Sequence, residues 1–110
     1  MQVNPEREII PEVVTLSSGC KLIRYGKLRI LKVEGITPTT AGTLGTLGTG
    51  DRPSTTVRNV LGTYLPFCLG IFTITTNGRI AVQYTTSYGA SFDDVPNGTY
   101  VYGEVVWTVS

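Results

Sequence analysis

The feature that most constrains the fold is an Asn-Gly pair between two runs of apolar and polar residues. Residues 68–84 read CLGIFTITTNGRIAVQY, with Asn77-Gly78 near the middle. Asn-Gly is the preferred central pair of a type I′ turn, whose twist matches two antiparallel strands. The sequence therefore predicts a β-hairpin with strands over 68–75 and 79–84, and a positive φ at both Asn77 and Gly78.

The C-terminal segment, residues 99–109, predicts the longest strand, and both of its faces carry apolar side chains. One face is expected to belong to the core and consists of Val101, Val105, Trp107 and Val109. The opposite face carries Tyr100, Tyr102 and Val106 among polar residues. A sheet face that meets water does not need such side chains. We therefore expect this strand to be covered on both sides.

The rest of the chain predicts short strands joined by turns. Further strands are expected over residues 13–16, 20–24, 27–34 and 56–65, the last with a possible interruption at Gly62. Residues 35–53 and 85–98 are expected to be loops, and no segment has a helical period. The expected fold is all-β: a compact antiparallel β-sandwich or jelly-roll-like barrel of about eight short strands, with no significant helix.

Composition excludes several classes of function. The chain contains no histidine, so Ser-His-Asp and Cys-His catalysis are ruled out. Its net charge is +1 and charged residues make up 15% of it, which gives no strong attraction for nucleic acid. No apolar stretch reaches the length of a membrane span. We expect no enzyme activity, no cofactor, no metal, no nucleic-acid partner and no membrane insertion.

Two cysteines, Cys20 and Cys68, fall within predicted strands. The sequence does not show whether their Cα atoms come within bonding distance, so a disulfide stays open as an alternative. We expect two buried thiols that pack as small apolar residues. Residues 1–12, with Pro5 and Pro11, are expected to form an entry arm or linker, and residues 13–110 a single β-sandwich domain.

The order of segments along the chain carries a resemblance to a known family. The segments are SSGCKLIRYGKLRILKVEG (17–35), GTGDRPSTTVR (48–58), the hairpin of 68–84 and PNGTYVYGEVVWTVS (96–110). This succession of strand, glycine, strand, G-x-R-P-S turn, N-G-x-I and a Tyr- and Val-rich final strand resembles the C-terminal head modules of trimeric bacteriophage tail fibres and baseplate receptor-binding proteins. The resemblance covers residues 11–110.

The resemblance implies a homotrimer at the tail tip of a virion, assembled in the host cytoplasm, where thiols stay reduced. Neighbouring subunits would cover the second face of the last strand, with Tyr100, Tyr102 and Val106 in the trimer interface. Residues 1–12 would join a fibre shaft or a baseplate protein. The implied function is adhesion to a host cell-surface saccharide. The alternative is a structural module that trimerises the fibre or docks it to the baseplate, with no ligand of its own.

The segment 85–98 contains candidate saccharide-binding residues, namely Tyr88, Phe92, Asp93 and Asp94. Aromatic rings stack on sugar faces, and carboxylates accept hydrogen bonds from sugar hydroxyls. Alternatively, Phe92 anchors the loop to the core and the two aspartates only solvate a turn. Adjacent carboxylates in an extended segment point apart, so the pair predicts neither a Ca²⁺ site nor an acid–base pair.

The Asp51-Arg52-Pro53 turn is expected to be mainly structural. Proline fixes the turn, and the side chain of Arg52 is expected to contact main-chain carbonyl groups or a neighbouring subunit. The alternative is a direct contact of Asp51 or Arg52 with the ligand.

Overall fold

Antiparallel strands form most of the regular structure. The computed structural model describes residues 10–17, 19–36, 42–63, 69–86 and 91–109. The strands are β1 Glu12–Ser17, β2 Cys20–Tyr25, β3 Leu28–Ile36, β4 Thr43–Thr46, β5 Val57–Thr63, β6 Leu69–Ile74, β7 Arg79–Thr85, β8 Asp93–Asp94 and β9 Tyr100–Thr108. Within these ranges the helical structure is one 3-10 turn, Thr49–Asp51. The prediction of an all-β fold without a significant helix is confirmed.

The strands form one sheet in the order β1-β2-β3-β9-β5-β6-β7-β4, with β8 beside β7. Strand β5 belongs to both halves of this sheet. It pairs with β6 over Val57–Leu61 and with β9 at Gly62 and Thr63. The sheet curls, so that β1 and β4 at its two ends come into contact. A single apolar core fills the space between the two halves.

The core takes alternate side chains from the strands of both halves. Its fully buried members include Leu22, Leu31, Leu47, Phe72, Ile74, Ile80, Val82, Val95 and Val101. Val105 and Trp107 are also buried, and Val109 packs against the core in part, so the predicted inner face of the last strand is confirmed. On the opposite face Tyr102 is 45% and Val106 49% exposed. Within one chain, β9 is therefore covered on one side, and its cover by a partner stays a prediction.

Two strands lie in segments that were predicted to be loops. Strand β4 falls within residues 35–53, and its Gly45 pairs with Ile80 of β7. The glycines of this segment are weak strand formers, but burial of Leu44 and Leu47 compensates for them. The two-residue strand β8 falls within residues 85–98 and also pairs with β7.

The β6–β7 hairpin is confirmed, but its turn lies one residue earlier than predicted. The main-chain N–H of Gly78 donates to the oxygen of Thr75 at 2.9 Å, so Thr76 and Asn77 are the central residues. Gly78 follows with a φ of +89°. A type I′ turn centred on Asn77-Gly78 would instead join Thr76 to Arg79. A three-residue loop that ends in a left-handed glycine is the next commonest hairpin connection.

Candidate functional site

The Asp51-Arg52-Pro53 turn lies inside the fold. Asp51 is 6% exposed. One of its carboxylate oxygens accepts hydrogen bonds from the Nε atoms of Arg24 and Arg29, both at 2.8 Å, and the other accepts from Nη2 of Arg24 at 2.7 Å. Since arginines of β2 and β3 occupy both oxygens, the alternative of a ligand contact at Asp51 does not fit this geometry.

The electrostatics of this cluster favour the charged forms of Asp51 and Arg24. The hydrogen bond from Arg24 lowers the pKa of Asp51, and the bond from Arg29 adds to it, against the opposing effect of burial. The same contact raises the pKa of Arg24. Arg52 donates through Nε to the main-chain oxygen of Leu47 at 3.1 Å, so the predicted contact with a carbonyl group is confirmed. The turn is a structural element of the subunit.

Three of the four candidate saccharide residues of segment 85–98 are described: Asp93 and Asp94 form β8, and Phe92 precedes it. Phe92 is 36% exposed, and both aspartates are exposed. Asp94 accepts a hydrogen bond from Nε2 of Gln83 at 3.3 Å. Tyr88 lies outside the described residues. As neighbours in a strand, Asp93 and Asp94 point to opposite faces. None of the described residues form a cluster suited to a metal ion.

Val95, not Phe92, anchors this segment to the core. Val95 is 1% exposed, and its N–H donates to the main-chain oxygen of Val82 at 3.1 Å. No sequence signal marks this residue, because a single valine between two aspartates and a proline forms no pattern. Phe92 is therefore left at the surface, which keeps it available as a binding residue.

A groove crosses the outer face of β2, β3 and β9, the face turned away from the core. Its β3–β9 part has a volume of about 600 Å³ and is lined by Lys32, Val33, Glu34, Tyr100, Tyr102, Gly103 and Glu104. A hollow of about 480 Å³ extends it over β2 and is lined by Gly19, Lys21, Lys32, Glu34 and Tyr100. Because the two parts share Lys32, Glu34 and Tyr100, they form one depression, called here the outer groove.

Strand register sets the polar contacts within the outer groove. Lys32 lies opposite Glu104, and Glu34 lies opposite Tyr102. The hydroxyl of Tyr100 donates to a carboxylate oxygen of Glu34 at 3.3 Å. The ring centres of Tyr100 and Tyr102 are 6.2 Å apart, with their planes inclined by 48°. The outer groove thus combines aromatic rings with carboxylates, the chemistry that a saccharide site requires.

Gly62 of β5 determines where the ring of Tyr102 lies. The two residues are directly opposite each other on neighbouring strands. A Cβ atom at Gly62 would overlap the Tyr102 ring, so the ring lies close against the glycine backbone. An aromatic ring placed over a strand glycine shields its backbone and supports the pairing. The sequence had left an interruption of this strand at Gly62 open, but β5 continues through Gly62 to Thr63.

The three residues predicted for the trimer interface fall into two parts of the outer face. Tyr100 and Tyr102 line the outer groove. Val106 lies four residues along β9, about 13 Å from Tyr102. Val106 belongs to a line of apolar side chains that crosses four strands, and each side chain lies opposite the next on the neighbouring strand. This line is called here the apolar row. The apolar row consists of Val13, Ile23, Ile30 and Val106.

Cys20 is a free thiol within the core, and burial raises its pKa to about 11. The prediction that Cys20 is a buried thiol outside any disulfide is confirmed, whereas Cys68 lies outside the described residues. A thiol with so high a pKa is protonated at neutral pH and is a poor nucleophile.

The described part of the chain has no helix that is long and apolar enough to cross a membrane.

Comparison with known proteins leaves the chain without an assigned family. No protein-family model matches it, and no curated protein matches it.

Proposed function

We propose that the chain is the head domain of a bacteriophage tail fibre or baseplate receptor-binding protein, and that it adheres to a host cell-surface glycan as a homotrimer. The observation that supports this most is the outer groove, where Tyr100 and Tyr102 lie beside the carboxylate of Glu34. The resemblance of the segment order to phage head modules supplies the biological setting. The site would act at the tail tip of the virion.

The outer groove suits reversible binding of a sugar. A pyranose ring that packs on Tyr100 or Tyr102 would bury an apolar face, while Glu34 and Glu104 accept hydrogen bonds from its hydroxyls. All these residues belong to paired strands, so little backbone conformational freedom is lost on binding. The groove is open, and one such contact is weak. Three copies in a trimer, and many trimers on a particle, would raise the overall affinity by avidity.

The segment around β8 is the second candidate location for the sugar. Phe92, Asp93 and Asp94 offer the same residue types at the surface of the other half of the sheet. The outer groove is favoured because its aromatic rings and carboxylates line one depression.

Binding of the purified domain to a glycan array and to bacterial cells tests the proposal. We expect Tyr100→Ala to lose most of the binding. Tyr25→Ala is the matched control, because Tyr25 is an exposed tyrosine of the same outer face but does not line the groove. Loss of binding in Phe92→Ala with retention in Tyr100→Ala would move the site to β8. A trimeric wild-type domain that binds neither glycans nor cells would contradict the adhesin.

The apolar row favours a second candidate function, a structural module that trimerises the fibre or docks it to the baseplate. Val13 is 59% and Val106 49% exposed, and the two isoleucines between them are half-buried. Exposed apolar surface of this kind marks sites of protein association. A trimer that forms normally and has no affinity for glycans would support this alternative.

The proposal includes no hydrolytic step. Without histidine, two carboxylates facing one glycosidic bond would be the remaining route to hydrolysis. Glu34 and Glu104 each contact a neighbour, Tyr100 and Lys32 respectively. Incubation with bacterial polysaccharide should release no new reducing ends. Their release by the wild type, with loss in Glu104→Gln, would contradict a purely binding role.

A further inference from the structure

Two lysines of the outer groove lie directly opposite each other. Lys21 of β2 pairs with Lys32 of β3, and both side chains are exposed on the outer face. Like charges in directly opposed positions destabilise a strand pair. The Nζ of Lys32 lies 3.9 Å from a carboxylate oxygen of Glu104. By contrast, no carboxylate of a described residue forms an ion pair with Lys21. The pair therefore keeps an uncompensated positive charge.

The hollow around these lysines also contains the groups that bind a sugar ring. Tyr100 and Glu34 form its far wall, and Gly19 lies in its lining without a side chain. The N–H of Glu34 donates to the main-chain oxygen of Gly19 at 2.7 Å, which fixes the spacing of the two strands there. One depression of about 480 Å³ therefore brings two ammonium groups next to an aromatic ring and a carboxylate.

Charge changes sign along one row of the outer groove, and Glu34 lies in the hollow beside the lysines. In the row that contains the two lysines, Glu104 follows Lys32 on the next strand. Neighbouring strands are about 4.8 Å apart, so Glu104 lies two strands, or roughly 10 Å, from Lys21. An anionic group is therefore attracted to the β2 end of the groove and repelled from the β9 end. A ligand with one charged substituent would bind in a single orientation.

We propose that the outer groove selects an acidic saccharide, whose phosphate or carboxylate substituent lies between Lys21 and Lys32 while its ring packs against Tyr100. This inference rests on the proposed glycan-binding function and adds the chemical class of the ligand. Phosphate and carboxylate share the charge that two ammonium groups recognise. The two sources are separated by experiment.

The test compares soluble oligosaccharides of similar length with the purified domain. Oligogalacturonate carries carboxylates, phosphomannan fragments carry phosphates, and dextran oligosaccharides are neutral. We expect at least one acidic probe to bind about tenfold more tightly than dextran, and its affinity to fall as salt is added. Lys21→Gln should lower that affinity by about tenfold and leave the weak binding of dextran unchanged. Preference for one acidic probe identifies the source of the charge.

Lys27→Gln is the matched control. Lys27 is exposed in the turn between β2 and β3, carries the same charge and lies outside the groove lining. It should bind as the wild type does, and unfolding curves should show that both variants are folded. Bacterial cells that the wild type binds give a second readout that is independent of the chosen probes. There, Lys21→Gln should bind less than Lys27→Gln.

The outcomes separate this inference from the function on which it rests. Binding to cells or neutral glycans that is insensitive to salt and to Lys21→Gln overturns the acidic ligand and leaves the adhesin intact. The absence of binding to every probe and to every cell type overturns both. Equal losses in Lys21→Gln and Lys27→Gln would reduce the effect to overall charge and also overturn the inference.

Discussion

The indole Nε1 of Trp107 donates a hydrogen bond to the main-chain oxygen of Asp51 at 2.8 Å. Through this bond the last strand contacts the 3-10 turn whose carboxylate is held by Arg24 and Arg29. Three strands of one half of the sheet, β2, β3 and β9, thereby converge on one residue that follows β4 in the other half. Asp51 thus joins the two halves beside the core.

We expect Asp51→Asn to lower the free energy of unfolding by about 3–5 kcal/mol. The neutral amide leaves Arg29, which is 9% exposed, without a negative partner. Asp93→Asn is the control, because Asp93 is exposed, and its effect should stay within about 0.5 kcal/mol. Urea unfolding measures both values. Equal urea midpoints for the two variants would show that the ion pairs of Asp51 with Arg24 and Arg29 do not stabilise the fold.

Acid should weaken the fold through the same residue. An unfolded Asp has a pKa of about 3.9. The hydrogen bond from Arg24, with that from Arg29, lowers the pKa of Asp51 in the folded protein. A carboxyl with a depressed folded-state pKa contributes fully above its unfolded pKa, and this contribution is lost as the pH falls through the folded pKa.

Stability measured downward from about pH 6 should therefore decline below about pH 4. The decline should be less steep in Asp51→Asn, which has no carboxyl group at this position. Unfolding by urea at a series of pH values gives both curves. Parallel curves would mean that other carboxylates account for the whole acid response.

Trp107→Phe removes the hydrogen bond between Trp107 and Asp51. Phenylalanine retains an aromatic ring in the core but leaves the buried oxygen of Asp51 without this donor, at an expected cost of about 1–3 kcal/mol. Tyr25→Phe removes a polar group from an aromatic ring that is 43% exposed and should change little. Thermal unfolding compares the two. A similarly small shift in both variants would mean that the indole bond contributes nothing.

Gly78→Ala should be more damaging than Gly98→Ala, although both glycines have nearly the same positive φ, +89° and +87°. The left-handed conformation alone costs an alanine about 1–2 kcal/mol. At Gly78 a Cβ atom would also lie 2.6 Å from the main-chain oxygen of Leu47, whereas at Gly98 nothing lies within 4 Å. The difference between the two unfolding free energies measures this close contact. No difference would mean that the Leu47 segment moves away freely.

Local patterns predicted the parts of the fold that depend on strand alternation. The inner face of β9 could be identified because Val101, Val105 and Trp107 are separated by even numbers of residues, which places them on one face of a strand. The Asn77-Gly78 pair located the hairpin, although the loop length was not encoded in the pair itself. By contrast, β4 depends on burial of Leu44 and Leu47 against distant strands. No local pattern of Gly and Thr predicts such burial.

The functional surface was harder to predict because it depends on register between distant strands. Tyr100 and Tyr102 were identified as outward residues, but Glu34 reaches Tyr100 only through the pairing of β3 with β9. In the structure, Arg29 shares the inner face with the buried side chains of Leu31 and Val33, a placement that the sequence pattern had not predicted. Its partner, Asp51, is 22 residues away. Such a buried charge signals a partner, but the sequence does not say which one.

The oligomeric state gives the last prediction. The apolar row presents four branched apolar side chains on adjacent strands, and β1 at its end is an edge strand. Exposed apolar residues next to an edge strand favour aggregation unless a partner covers them. We expect three copies to pack around a closed symmetry axis, with Val106 in the seam, so that light scattering gives about three times the mass of one chain.

Val106→Glu should dissociate the trimer, because it would bury an unpaired carboxylate in the seam. Val60→Glu makes the same change at a valine that is 61% exposed on β5 and lies outside the apolar row, so it should stay trimeric. Tyr102→Glu tests whether the seam extends into the outer groove, as the sequence predicted. A wild-type protein that is monomeric at low micromolar concentration would exclude the trimer. A trimeric Val106→Glu variant would place the seam elsewhere on the surface.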